Sequence, residues 1–250
     1  MSNINKDVET IKKIKAEIRK TIWELMETRN IAMFPRPVYG RIPNFVGADK
    51  AALKITSIRE WEKAIVIKSN PDSPQIYLRE KALENGKILI MATPRLSNGF
   101  LILDPRKIPR NKIKTAATIT GSFKFGKIIK LDEIPPIDLI VTGCVAVDKK
   151  GVRLGKGGGY AELEYGILRE LNLIDERTPV VTTIHDLQVI NSIPLEIHDL
   201  TVDYYATPTK LVRIEPQGYK PKGIYWDLLR EKRHLQVIME LEKILRTKNK

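Results

Sequence analysis

The chain has 250 residues, 42% of them hydrophobic, enough for one large α/β domain or two small ones with a sizeable core. No apolar run approaches the roughly 20 residues that cross a bilayer, and the opening Met1-Ser-Asn-Ile-Asn-Lys6 has no apolar signal region, so a cytoplasmic protein is expected; the single cysteine, Cys144, excludes an internal disulfide and any cysteine-built metal centre. The net charge of +13, from 43 Lys+Arg against 30 Asp+Glu, favours anionic partners such as nucleotides, polyglutamate-bearing cofactors or RNA, although a lysine-rich surface like that of heat-adapted proteins gives the same balance.

Ile11, Ile14, Ile18, Ile22, Leu25 and Met26 recur at helical spacing and predict an amphipathic helix over about residues 6 to 30. Lys15 and Arg19 stand one turn apart on it. The proline-rich stretch Phe34-Pro-Arg-Pro-Val-Tyr-Gly-Arg-Ile-Pro-Asn-Phe45 cannot be a regular helix and reads as an ordered, extended connection. Gly47 to Ile58 reads as helical again.

An alternation follows. Ala64 to Lys68 reads as a strand, Ile76 to Glu84 as a helix, Lys87 to Ala92 as a strand, Asp138 to Val147 as a strand, Ala161 to Leu171 as a helix, Pro179 to Ile184 as a strand and Val202 to Thr207 as another. Several strands are apolar throughout, which predicts a largely parallel sheet covered on both faces. Right-handed crossovers then put the loops after the strands along one edge, with Lys68, Ala92, Val147 and Ile184 at the rim. The prolines of residues 104 to 136 leave that lysine-rich segment without an assignment. Tyr225 to Leu245 is expected to be helical and the tail from Arg246 to fray, all within a single domain spanning 1–250.

The most informative local feature is Arg153-Leu154-Gly155-Lys156-Gly157-Gly158-Gly159-Tyr160, between a strand and a helix start. Bare backbone N–H groups and a helix N-terminus converge on phosphate in that arrangement. The spacing is neither a Walker loop nor a dinucleotide fingerprint. Arg153 and Lys156 add positive charge, Tyr160 an aromatic face, and Glu162 and Glu164 carboxylates of the kind that hold Mg²⁺ beside a polyphosphate. Pro194-Leu-Glu-Ile-His-Asp-Leu-Thr-Val-Asp203 supplies a second acidic cluster, from which Asp199 with Glu162 suffices as the protein share of a Mg²⁺ site; a solvated acidic loop is the alternative. His198 reads as a surface residue, and His185-Asp186, at a strand end, as better placed for a site.

The stretch Val141-Thr-Gly-Cys-Val-Ala-Val-Asp-Lys-Lys-Gly-Val-Arg-Leu-Gly-Lys-Gly-Gly-Gly-Tyr160 resembles the signature of the 5-formyltetrahydrofolate cyclo-ligases. Glu196 to Asp203 is similar to that family's acidic segment, and Lys15-x-x-x-Arg19 to its nucleotide-contacting pair. Phe34 to Phe45, Lys68 to Gln75, Thr93-Pro-Arg-Leu96 and Gly155 to Tyr165 resemble the methenyltetrahydrofolate synthetase domain-containing branch.

The resemblance implies a three-layer α/β/α sandwich and an ATP-driven cyclisation. ATP would phosphorylate the formyl oxygen of 5-formyltetrahydrofolate, or of a related formylated pterin, and the second nitrogen would displace phosphate to give the 5,10-methenyl form. It implies Lys156 and Arg153 as catalytic residues, with nucleotide contacts from Lys15, Arg19 and Arg153-Leu154-Gly155-Lys156-Gly157-Gly158-Gly159-Tyr160. Substrate contacts would come from Gln75, Lys156, Gly157, Gly158, Gly159 and Tyr160, and Mg²⁺ ligands would be Glu162 and Asp199. Two positions depart from the family pattern: Ala161-Glu162 replaces Tyr-Asp, and Asn70 to Gln75 carries no glutamate. A monomer or homodimer is expected. A non-catalytic nucleotide- or RNA-binding protein on the same scaffold stays open, as does a role for the basic segment 106–130 in covering the site or facing a polyglutamate tail.

Overall fold

The computed structural model describes residues 2–248, with the side chains of 8–229 and 232–247. Helix α1 (Ser2–Thr28) buries Ile22 and Met26. Strands β1 (Ala32–Met33) and β2 (Asn44–Phe45) pair antiparallel across the proline stretch, which is ordered as expected: Glu27 holds Arg36 and the Val38 N–H, and Asn44 Nδ2 donates to the Phe34 carbonyl at 2.9 Å. Next come α2 (Ala48–Ile55), α3 (Arg59–Lys63), β3 (Val66–Ser69), α4 (Ile76–Glu84), β4 (Ile88–Ala92) and β5 (Phe100–Leu103). The unassigned segment forms α5 (Ile113–Ala116), α6 (Ile119–Phe125) and β6 (Lys127–Ile129). Then follow β7 (Leu139–Val141), β8 (Ala146–Asp148), β9 (Arg153–Leu154), α7 (Tyr160–Glu170), β10 (Val180–Thr183), β11 (Val189–Ile190), β12 (Tyr204–Ala206), β13 (Leu211–Arg213) and α8 (Gln236–Lys248).

The main sheet has 8 strands in the order β13-β12-β10-β7-β3-β4-β5-β6. β12, β10, β7, β3 and β4 run parallel, and antiparallel strands complete both edges. Strand side chains alternate between faces, and here both faces are dry. Val66, Ile90, Ile140, Val180 and Tyr205 pack on one face with Ile167 and Leu168 of α7 and Ile238 and Leu241 of α8. Ile67, Leu139, Val141, Val181 and Tyr204 pack on the other with Ala52 and Ile55 of α2 and Leu78 of α4. Two covered faces explain why the strands read as apolar throughout, and the result is the expected α/β/α sandwich. Among the described residues no helix is long and apolar enough to cross a membrane.

Two expectations need correction. The apolar run 138–147 is not one strand: β7 ends at Val141, and β8 joins a separate 3-stranded sheet, β11-β8-β9. The chain breaks at Gly143 because it passes tightly against the loop after β3; a Cβ there would stand 2.8 Å from Gln75 Oε1 and 3.0 Å from Asp72 Oδ2. The helix expected from Tyr225 starts instead at Gln236, after two 3₁₀ turns, Trp226–Leu228 and Arg230–His234. Leu235, with ψ 134°, is extended and seats its side chain against the core. The tail expected to fray is helical through Lys248, and residues 249 and 250 lie outside the described residues.

Candidate active site

The short β9 runs back against β8, pairing Val147 with Arg153, and so returns Arg153 beneath the glycine loop. Its guanidinium is buried, donates from Nη1 to the Gly143 carbonyl at 2.6 Å and is ion-paired through Nη2 with Glu162. Burial opposes both charges, but their mutual attraction wins: the Arg153 pKa is raised and that of Glu162 lowered. Gly157 (φ 101°) and Gly159 (φ 63°) occupy the left-handed region, which β-carbons disfavour. Gly159 is also the N-cap of α7 and brings no capping side chain, so the first N–H groups of that helix stay available to an anion.

Helix α1 crosses this loop. Arg19 Nε donates to the Gly155 carbonyl at 2.7 Å, and a Cβ on Gly157 would lie 3.6 Å from Arg19 Cζ. One turn earlier, Lys15 is buried with its Nζ 2.7 Å from Glu196 Oε2 and 2.5 Å from Asp199 Oδ2. Glu196, His198 and Asp199 bring their ligand atoms within 4.8 Å of one another.

A cleft of about 570 Å³ opens on one side of the loop, lined by residues following β3 (Asn70, Asp72), β4 (Thr93, Arg95) and β7 (Gly143), and by Tyr160. Its wall holds a buried polar cluster: Glu164 Oε2 is ion-paired with Lys68 and accepts from Asn70 Nδ2 at 2.6 Å. Burial raises the Glu164 pKa against the opposing pull of Lys68. Lys156 Nζ reaches Asp72 Oδ1 at 3.0 Å, and the loop bearing Asp72 is fixed from behind by Arg79. That buried guanidinium donates to the carbonyls of Asn70 (2.7 Å), Asp72 (2.9 Å) and Ala117 (2.8 Å). A second cleft of about 690 Å³ lies on the other side, between Val8 and Ile11 of α1, Ile197 and His198, and Ile224, Leu228 and Lys232 of the C-terminal segment. Gly159 and Glu162 line both clefts.

The sequence profile of the 5-formyltetrahydrofolate cyclo-ligase family matches residues 11–208. The chain belongs to that family. It is 44% identical to the methenyltetrahydrofolate synthase domain-containing protein of Bos taurus over 217 residues, 85% of this chain and 57% of that protein. The Homo sapiens protein of the same name is 41% identical, again over 85% of this chain and 56% of its own length. The chain thus spans less than two thirds of these relatives. The 5-formyltetrahydrofolate cyclo-ligase of Escherichia coli is 34% identical over 76 residues, 30% of this chain and 38% of that one. The fold is shared with Aquifex aeolicus 5,10-methenyltetrahydrofolate synthetase (TM-score 0.52, 20% identity, 82% of this chain and 95% of that chain).

Of the site residues expected in this cyclo-ligase family member, Lys15 and Arg19 of α1, Arg153 of β9, Glu162 of α7 and Asp199 of the acidic segment converge around the glycine loop. Glu162 and Asp199 are each held by a cation, Arg153 and Lys15 respectively. Leu154 is buried in the core, its carbonyl accepting from Val145 N at 2.7 Å. Gln75 does not reach the cleft: it is fully buried behind Gly143, with Nε2 3.4 Å from Thr183 Oγ1. Of the four expected rim positions, Lys68 places its side chain in the cleft-wall cluster, whereas Ala92, Val147 and Ile184 are buried core. His185 is a local cap, its Nδ1 accepting from Leu187 N at 3.2 Å, with its pKa lowered chiefly by burial. Cys144 is the buried thiol expected, its pKa pushed up to about 11 by burial. Sequence reading placed Lys68 at the rim but missed its buried pairing with Glu164, and it missed Asn70, Asp72 and Lys232 as site residues. A lysine inside an otherwise apolar strand was a usable signal for the first, since a buried ammonium requires a partner.

Proposed function

We propose that this chain is a Mg·ATP-dependent cyclo-ligase, converting 5-formyltetrahydrofolate or a related formylated pterin to the 5,10-methenyl form with release of ADP and phosphate. The observation that carries the reading is the shared loop: two clefts large enough for organic ligands meet at Gly159 and Glu162. A nucleotide in one and a formyl compound in the other would bring the terminal phosphate and the formyl oxygen together there. Transfer between them requires in-line positioning and charge neutralisation rather than a covalent nucleophile.

The chain's own groups suit that task. Backbone N–H groups at the start of α7 bind phosphate oxygens, Arg19 crosses the loop, and Lys156 is half-exposed on an ion pair with Asp72 that an arriving phosphate can replace. Arg153, fixed by Gly143 and Glu162, holds the loop in shape and lines the formyl-side cleft. Glu162 and Asp199 are oxygen donors of the type Mg²⁺ takes, and the charges of both act on Arg19. They are the residues that would hold the ion, which would neutralise charge on the phosphates.

The test is to mix purified protein with Mg·ATP and 5-formyltetrahydrofolate, following methenyl absorbance and ADP, with a parallel panel of formylated pterins. Product and ADP in step are expected, and both lost in Lys156→Ala; no ADP release with any member of the panel refutes the proposal. A second reading, a non-catalytic nucleotide- or RNA-binding protein, draws on the exposed cations Lys107, Arg110, Lys112, Lys124 and Lys130. It requires RNA affinity that falls steeply with salt and is indifferent to Lys156.

A further inference from the structure

The family match ends at residue 208, yet much of the larger cleft is walled by residues after it. That C-terminal segment is built into the fold. Lys220 is buried, with Nζ on Asp203 Oδ2 (2.6 Å) and the carbonyls of Thr178 (2.9 Å) and Glu176 (3.0 Å). The Ile224 N–H donates to Glu170 Oε1 at 2.9 Å. Gly166 of α7 permits a close approach, since a Cβ there would stand 2.9 Å from Ile224 Cγ1 and 3.2 Å from the Gly223 carbonyl. From these anchors the chain presents Ile224, Tyr225 and Leu228 to the cleft and ends its wall with Lys232.

Lys232 Nζ lies 5.2 Å from the centre of the Tyr160 ring, and a Cβ on Gly159 would stand 2.9 Å from it. Around the loop, Lys15 is paired with Glu196 and Asp199, Arg153 with Glu162, and Lys156 with Asp72. Among the described residues, Arg19 and Lys232 have no carboxylate within ion-pair distance. They flank the loop, Arg19 at Gly157 and Lys232 at Gly159. Burial lowers the pKa of both, against the attraction of Glu162. Two partly desolvated cations without counterions, one on each side of a loop of bare N–H groups, define a place for a polyanion. The apolar surfaces beyond it, Leu228 and Ile197 (49% and 61% exposed), offer a flat base what it needs.

We propose that Lys232 contacts the phosphates of a nucleoside triphosphate held in the larger cleft, and that Gly223, Ile224, Tyr225, Leu228 and Leu229 supply the wall against its base. The inference rests on the nucleotide reading above. It makes the cleft dependent on a segment beyond the residues that the family profile matches.

The experiment measures binding of ATP and of adenosine, with Mg²⁺ present, by calorimetry on the full chain, comparing wild type, Lys232→Met and Lys232→Arg. Melting temperatures without nucleotide check that the variants are folded. Lys232→Met keeps the aliphatic stem over Tyr160 and loses the charge. It is expected to bind ATP about tenfold more weakly, about 1.4 kcal/mol, and adenosine as wild type does, with Lys232→Arg restoring most of the ATP affinity. Wild-type ATP affinity in Lys232→Met, or an equal loss for ATP and adenosine, overturns the role of Lys232 and leaves the cyclo-ligase reading standing. A wild-type chain that binds no adenine nucleotide refutes both.

Discussion

Lys68 and Glu164 are both buried in the cleft wall, and Glu164 Oε2 also accepts from Asn70 Nδ2 at 2.6 Å. Breaking such a pair leaves one charge stranded, at a cost of about 3–5 kcal/mol, but the two halves do not strand equally. In Lys68→Met the carboxyl of Glu164, whose pKa burial already raises, escapes by taking a proton. From an ordinary glutamate pKa of about 4.3, that costs about 4 kcal/mol at pH 7 and about 1 kcal/mol at pH 5. The sign follows from linkage: a carboxyl with a raised folded pKa loses stability as pH rises toward that value, and removing Lys68 raises it further. In Glu164→Gln the orphaned ammonium has no corresponding escape, because acid moves it away from neutrality. Urea unfolding at pH 7 and pH 5 therefore separates the variants, with Lys68→Met recovering about 3 kcal/mol relative to wild type on acidification and Glu164→Gln recovering none. Equal destabilisation of Lys68→Met at both pH values refutes the reasoning. The double variant Lys68→Met/Glu164→Leu is expected near wild-type stability, the usual outcome when a buried pair is replaced by well-packed apolar groups.

Arg79→Met removes the donors to the carbonyls of Asn70, Asp72 and Ala117, partly offset by relief of a buried guanidinium whose pKa is lowered to about 10. A net loss of about 3 kcal/mol is expected, lowering the melting temperature by roughly 6–12 °C; a loss under about 1 kcal/mol would show that the loop needs no such brace. Glu162 has a folded pKa below its ordinary value, the pull of Arg153 outweighing burial. Its contribution is present above the unfolded pKa and lost as pH falls through the folded one. Melting curves from pH 6 to pH 3 should thus fall more steeply for wild type than for Glu162→Gln, and parallel curves would contradict the assignment.

The layers were legible because sheet burial on both faces leaves a plain mark: apolar runs at Val66-Ile67, Ile88 to Ala92, Leu139 to Val141 and Val180-Val181, separated by helical periods. The break at Gly143 left no comparable mark. It is set by Gln75 and Asp72 pressing from the loop after β3, a contact with no trace in the local residue pattern, and Thr142-Gly143-Cys144 is as compatible with continuation as with departure. The glycine loop, Lys15, Arg19 and Asp199 were recognisable from motif and order. Gln75 shows the limit of transferring a position: the proline on either side of Asp72-Ser73 starts a 3₁₀ turn at Ser73–Gln75 and turns that side chain into the core. Lys232 was invisible because its surroundings read as an uninterrupted amphipathic helix, whereas Leu235 adopts an extended conformation to reach the core and keeps the preceding turns beside the loop.

The larger cleft joins segments far apart in sequence, Val8 and Ile11 on one side and Leu228 and Lys232 on the other. Contacts so distant in sequence are made at the greatest loop-closure cost. On a ribosome, which releases N-terminal segments before C-terminal ones, this recess is completed only once Leu228 and Lys232 have followed Val8 and Ile11 out. Whatever occupies it would also act as a clasp, raising hydrogen-exchange protection in both segments together.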